Sequence, residues 1–351
     1  MNTRFLLYGA NGFVGQEIAA QALRLGLQPV AAGRDAAKIE ALAARLGIEP
    51  QVFSLDDARA LDRALEDVPV VLHCAGPFIY TSKQLVDGCM RSGTHYLDIT
   101  GEIPVYAAIQ QQDKEAKDNG VMLLPGVGFD IVPTDCLAAH LKRRLPAASK
   151  LTLAFTNDGP ASLPPGTTRT MLEMIPNGCQ VRLNGKLVTA PRGIKKRLID
   201  FGKGPQTAAR LSWGDVFSAY YSTGIPNIED YIGASKSMQQ QLALSDWLRP
   251  IFKSSAVRAF FKRQLKSGST PAERAVTRTT VWGEVKDEQG NKAVARLHGP
   301  EAGVIWTAQT ALAVVRKVLA GETAAGYQTP ARVYGPDFVL EGPDVTREDV
   351  E

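Results

Sequence analysis

The run Gly9-Ala10-Asn11-Gly12-Phe13-Val14-Gly15 constrains this chain more than any other stretch. It follows directly on the apolar Phe5-Leu6-Leu7-Tyr8, and after Gly15 the residues Ile18, Ala19, Ala22 and Leu23 recur at helical spacing until Gly26. A second apolar run, residues 29–32, completes a strand-helix-strand unit. In that context the spacing G-x-x-G-x-x-G has a physical purpose. A dinucleotide pyrophosphate sits against backbone N–H groups at a helix N-terminus, so side chains must be absent where the chain turns and approaches it. Gly9 permits the turn, Gly12 the approach and Gly15 the packing of helix on strand. Asn11 is placed to cap the helix or to touch a phosphate.

The end of the second strand selects the cofactor. NAD-binding units place Asp or Glu there to hold the ribose 2′-hydroxyl, whereas this chain has Gly33-Arg34 with Lys38 one helical turn on. A guanidinium and an ammonium suit a 2′-phosphate, so the sequence favours NADP(H) over NAD. Asp35 is the competing acid, or else it simply caps the helix over 36–46.

Apolar runs at 52–55, 70–75, 96–99 and 121–124 alternate with helical patterns at 82–91, 104–116 and 136–144, as an open parallel sheet requires. Ligands bind outside the carboxyl ends of such strands, which places Cys74, Ala75, Gly76 and Pro77 along the cofactor. Thr100, Gly101, Glu102 and Asp130 are expected on the same edge. The texture changes after about residue 150. Asn184-Gly185 within 180–190 signals a hairpin, and 277–285 with 293–297 reads as a second, so an antiparallel sheet is expected. Residues 304–319 read as a closing helix and 329–333 as a return towards the first domain. The predicted fold is therefore α/β: an N-terminal Rossmann doubly wound parallel sheet (1–145), a second α+β domain for substrate or dimerisation (146–325), and a C-terminal segment (326–351) returning towards the first.

These stretches together resemble the saccharopine dehydrogenase-like oxidoreductase family. The resemblance rests on GANGFVG, AGRD with Lys38, CAGPF, YLDITGE and GFDIVPTD, over roughly the first 140 residues. Within the family the chain looks most like the trans-acting enoyl reductase branch, which PGTTRTMLEMI (165–175) and GYQTPA (326–331) also resemble. Resemblance implies a Rossmann domain, NADP(H) and a reductase acting on a C=C or C=N bond. Of the arginines and acidic residue with which saccharopine reductases hold an amino-dicarboxylate, Asp130 alone has an evident counterpart.

Hydride transfer asks the protein for orientation, exclusion of water and a proton donor. Tyr80 and Asp130 are the catalytic candidates, Tyr80 alternatively being an aromatic lid and Asp130 a substrate-orienting group or helix cap. Tyr96, Thr100, Gly101 and Glu102 are substrate-site candidates, and His95 falls in the same region. No Ser-x-x-x-Tyr-x-x-x-Lys pattern of short-chain dehydrogenases occurs. The expected function is an NADPH-dependent reductase of a C=C bond in an acyl or lipid-like substrate, free or carrier-bound. The alternatives are a C=N reductase or dehydrogenase on an amino acid derivative, and a non-catalytic NADPH-binding regulator or scaffold.

Composition limits the partners. A net charge of +4 over 351 residues predicts no nucleic-acid binding, and the four cysteines show no metal-ligand spacing, so no metal is expected. Polar residues lead straight into the first strand, without a signal peptide, and a cytoplasmic homo-oligomer is expected. One stretch stands out: between Asp246 and Glu273 there is no acid, yet Arg249, Lys253, Arg258, Lys262, Arg263 and Lys266 alternate with Trp247, Ile251, Phe252, Phe260, Phe261 and Leu265. The bland reading of 247–266 is a surface helix with a core face; the other is a docking face for an acyl-carrier protein or a membrane periphery.

Overall fold

The computed structural model describes residues 3–264 and 268–350, and the chain divides into two compact units. The first comprises Met1–Asp130 with Gly303–Val333, the second Ile131–Ala302 with Tyr334–Glu351.

The first unit opens with β1 (Arg4–Tyr8), α1 (Phe13–Arg24), β2 (Gln28–Gly33), α2 (Ala36–Leu46), β3 (Pro50–Val52) and α3 (Ala58–Leu65). It continues through β4 (Val70–His73), α4 (Ser82–Ser92), β5 (His95–Asp98), α5 (Ile103–Gln110), α6 (Asp113–Asp118) and β6 (Met122–Leu124). The inner strands are buried on both faces, which is why they read as unbroken apolar runs. Helix α1 buries Gly15, Ile18, Ala19 and Ala22, one stripe at helical spacing. The helix expected over 104–116 is two helices, parted at Gln111-Gln112. The apolar stripe of Val105, Tyr106 and Ile109 ends there, and Ala116 alone anchors the next turn.

The second unit begins earlier than the sequence suggests. Helix α7 (Val132–Arg144), which the alternating pattern assigns to the first domain, packs with α9 (Asp215–Thr223), β13 (Arg278–Lys286) and β14 (Lys292–Pro300). Between these lie β7 (Lys150–Asp158), α8 (Pro165–Met174), β8 (Gln180–Leu183), β9 (Lys186–Thr189), β10 (Lys196–Asp200), β11 (Pro205–Leu211), β12 (Asn227–Gly233), α10 (Lys236–Trp247), α11 (Ser255–Arg263) and α12 (Pro271–Val276). Both predicted hairpins form, and Asn184-Gly185 adopts φ of 49° and 78°, the pair a two-residue hairpin turn needs. The sheet is mixed: β12 and β7 run parallel inside an otherwise antiparallel path β10-β11-β12-β7-β13-β14. Its other face collects Ala154, Ile199, Phe201, Ala208, Tyr231, Trp282 and Val294 into a core.

The chain then returns. Helix α13 (Thr307–Leu319), read from the sequence as closing the second domain, belongs to the first unit and packs on α1 and β4. Strand β15 (Gly326–Tyr327) extends the first sheet beside β6, giving the all-parallel order β15-β6-β5-β4-β1-β2-β3. After α14 (Pro330–Tyr334), the terminal β16 (Thr346–Asp349) pairs with β14 in the second sheet, so 326–351 serves both units rather than the first alone. Among the described residues no helix is long and apolar enough to cross a membrane.

Candidate cofactor and active site

In the first sheet the connections leaving β1 and β4 go to opposite sides, which opens a crevice at their carboxyl ends. The glycine loop fills one side of it. Gly9 has a φ of +86°, and a Cβ there would stand 2.7 Å from Ala75 N and 2.8 Å from Cys74 C. Loop and CAGP corner are thus packed against each other, as their shared place on the edge requires. A Cβ on Gly15 would strike Gly9 O, so helix and loop touch. A Cβ on Gly12 would meet only Gly9 O, at 3.1 Å, and otherwise face open space. That open space borders the first turn of α1, whose amides have no helical acceptors. The cradle fits a pyrophosphate.

Asn11 does not cap the helix: Gly12 is the N-cap, with no side-chain cap bond, and Asn11 instead leans over Gly33 at the end of β2. Asp35 does cap α2, accepting from Lys38 N at 3.2 Å, and it pairs with Lys38 Nζ at 2.7 Å. Hydrogen bonds donated by the Lys38 ammonium and by Lys38 N hold Asp35 below the usual carboxylate range. Arg34 is exposed beside them. A cavity of about 280 Å³, lined by Asn11, Gln16, Lys38, Ala41, Leu42 and Arg45, opens at this end. Arg45 donates to Gln16 Oε1 at 2.8 Å, and Gln16 Nε2 donates to Asn11 O. Sequence reasoning missed Arg45 and Gln16, although Arg45 lies seven residues after Lys38 and therefore on the same helical face. Arg34, Lys38 and Arg45 give this end the charge that a 2′-phosphate needs.

The other side of the crevice rests on buried carboxylates. Glu102 is fully buried, and its two oxygens accept from Phe78 N and Ile79 N, each at 2.8 Å. It thereby fixes the turn Phe78–Tyr80 that follows Gly76-Pro77, while Thr100 Oγ1 accepts from Glu102 N. Beneath it, Tyr96 donates to Asp98 Oδ2 at 2.8 Å and lies 3.1 Å from His73 Nδ1. Asp98 Oδ1 accepts from Thr100 N and Gly126 N, which ties the exits of β5 and β6 together. Burial lowers His73 to about 3 and raises Asp98 to about 7. This network was legible only as the quoted motif YLDITGE.

Asp130 meets this group. A Cβ on Gly101 would sit 3.0 Å from Asp130 Oδ2, so the carboxylate lies over Gly101, beside Glu102. It is half-buried, and burial followed by the charge of Glu102 raises it to about 7. Phe129 N donates to Thr307 Oγ1, and the Phe129 ring stands 5.3 Å from Trp306, which fastens the segment to the start of α13. Tyr80 stands at the corner, 55% exposed. His95 lies elsewhere: it starts β5, at the amino edge of the sheet, where its Nδ1 accepts from Met122 N. Cys74 is held as a thiol by burial, which raises it far above the usual range. Among the described residues no cluster of three His, Cys, Asp or Glu side chains could hold a metal ion.

A parallel sheet with a glycine cradle and a cationic ribose end defines a dinucleotide-binding Rossmann domain. Residues 5–124 match the saccharopine dehydrogenase NADP binding domain family. A trans-acting enoyl reductase of Mycobacterium ulcerans (strain Agy99) is 33% identical over 162 residues, covering 43% of this chain and 38% of that protein. A saccharopine dehydrogenase-like oxidoreductase of Homo sapiens is 26% identical over 161 residues, covering 40% and 37%. The chain thus spans under two fifths of these relatives' lengths. The fold is shared with apo histidine-tagged saccharopine dehydrogenase (L-Glu forming) from Saccharomyces cerevisiae: TM-score 0.68 over 99% of this chain and 100% of that one, at 14% identity.

Proposed function

We propose that the protein is an NADPH-dependent reductase of a C=C bond in an acyl or lipid-like substrate. The observation that carries this reading is the place of Asp130, half-buried over Gly101 on the cofactor edge, where burial and then the charge of Glu102 push its carboxyl up to about 7. NADPH, when bound, supplies the hydride. Reduction of a polarised double bond then needs one proton, and an acid whose pKa lies near the working pH is suited to hold and deliver it. Asp98 and Glu102 are committed to backbone amides and keep the edge rigid. The names of the mycobacterial relatives support the enoyl substrate.

A second reading, reduction of a C=N bond in an amino acid derivative, draws on the same Asp130, because a carboxylate can pair with an iminium nitrogen. The experiment that separates them follows NADPH absorbance with a panel of enoyl thioesters and a panel of 2-oxo acids with amines. We expect turnover with the thioesters that falls as pH rises through about 7. In Asp130→Asn the rate should drop roughly 10²- to 10⁴-fold with NADPH affinity retained, as for loss of a general acid. Turnover of the variant at the wild-type rate, with the same pH profile, would sink the assignment.

A further inference from the structure

We propose that the segment 244–263 of the second unit is a peripheral docking surface for an anionic lipid bilayer. The observations are of burial, charge and anchoring. Helices α10 and α11 bury none of their own residues, so both lie on the surface of the unit. Five of the fifteen exposed large hydrophobic residues among those described fall within 244–261: Leu244, Trp247, Ile251, Phe260 and Phe261. Trp247, at 71% exposure, and Phe260, at 58%, turn most of their surface to solvent. Aromatic side chains of this kind partition to the boundary between headgroups and acyl chains.

Charge complements them. The segment 247–263 has five cations and no acid in a chain whose net charge is +4, so the segment carries more than the whole net positive charge and the rest of the chain is slightly negative. The structure divides four of these cations into two sets, the fifth, Arg249, being half-buried. Arg258 Nε and Lys262 Nζ both pair with Glu173 of α8, a buried carboxylate, and Arg258 also donates to Phe252 O and Lys253 O. These two hold α11 in place and neutralise the one acid beneath it. Lys253 and Arg263 are exposed. A third exposed cation arrives from a distant part of the chain: Gly193 N donates to Asp246 Oδ2 at 2.9 Å, which seats the loop carrying Arg192 beside Trp247. Phe252, buried and 5.2 Å from the Phe261 ring, roots the segment, so its aromatic residues are held outward. Leu265 and Lys266, also in the expected basic stretch, lie outside the described residues.

Exposed aromatic residues accompanied by exposed cations in the same segment suit a headgroup layer better than an acidic protein, which would leave the large apolar area unmatched. The bilayer also explains why no acid occurs between Trp247 and Arg263, Asp246 just before them being engaged by Gly193 N: an anionic surface repels carboxylates over a Debye length, about 8 Å at physiological ionic strength.

The test is flotation of the full chain with vesicles of phosphatidylglycerol and phosphatidylcholine, or of phosphatidylcholine alone. We expect binding to the anionic vesicles only, weakening as salt rises, and lowered about tenfold or more by Lys253→Glu with Arg263→Glu, since each charge at such a surface contributes a sizeable factor. Trp247→Ala with Phe260→Ala should also lower it, while NADPH affinity and the thermal midpoint stay unchanged in both variants. Arg258 and Lys262 are left alone, because reversing them would break the Glu173 pairs. No flotation at low salt, equal flotation of wild type and variants, capture by an acidic acyl-carrier protein without vesicle binding, or self-association through this face would each overturn the proposal.

Discussion

Removing the Glu102 carboxylate tests whether the cofactor-side edge of the first sheet is built as described. Glu102 is fully buried, and its oxygens are the acceptors for Phe78 N and Ile79 N, the amides that begin the turn after Pro77. In Glu102→Ala both lose a charge-assisted bond. Phe78 is buried, so its amide finds no water, and an unsatisfied buried donor costs about 1–3 kcal/mol. Ile79 is 37% exposed and its amide can be partly rehydrated, so its share is smaller. The expected loss is about 2–4 kcal/mol by urea unfolding, a sizeable part of a typical domain's stability. Glu102→Gln should recover less than half, because its NH₂ group must face one of the two N–H donors. Amide exchange at Phe78 and Ile79 should accelerate in both variants. If Glu102→Ala unfolds within about 0.5 kcal/mol of the wild type, a difference ordinary for surface substitutions, the carboxylate does not hold the corner and the reasoning fails.

Three further expectations concern the same unit. Arg34→Asp should weaken NADPH by about tenfold or more while leaving NADH little changed, since a charge-assisted contact contributes roughly 1.5–3 kcal/mol; equal titration midpoints for the two cofactors in the wild type would refute it. Gly12→Val should abolish dinucleotide binding by calorimetry without lowering the unfolding midpoint much, because its new methyls enter the open space before α1. Asp98 binds a proton in the native state between the unfolded value of about 4 and its folded value of about 7, so its contribution to stability falls as pH rises across that window, by up to about 1.4 kcal/mol per pH unit. Asp98→Asn should flatten the slope of urea stability against pH between 4 and 7, and an unchanged slope would refute the assignment.

The first unit was legible because its strands are buried on both faces and its turns need glycine. Both leave marks in one dimension: runs such as Val70–His73, and GANGFVG itself. Side-chain duties were less legible. Asn11 looks like a cap by type, but Gly12 takes that position, and the Asn11 side chain turns to Gly33. Arg258 and Lys262 look like free cations because Glu173, their partner, is 85 and 89 residues away. Arg45 and Gln16 gain significance only once α1 and α2 lie side by side at the cavity. Unit boundaries failed for the same reason, since α7 and α13 are apolar enough for either unit and only their packing partners decide.

The octapeptide Gly128 to Asp135 shows how far a motif can mislead about roles. Read as a string it is one feature leading into one helix. In the structure it straddles the passage from one unit to the other, and each half is fastened into its own. Gly128 and Phe129 are held by Thr307 and Trp306, which sets Asp130 over Gly101. Past the crossing, Thr134 Oγ1 donates to Asp215 at 2.6 Å and Ser222 donates to Asp135, so both polar residues bind α7 to α9. Asp135 is not the cap of α7: Ile131 is its N-cap, with no side-chain cap bond, and Asp135 is buried in the first turn. The two acids, five residues apart, therefore answer to different physics. Burial and the neighbouring Glu102 carboxylate raise Asp130 towards neutral pH, which is what the proposed role asks of it. Asp135 is a fully buried acceptor, and its hydroxyl partner makes it part of the frame.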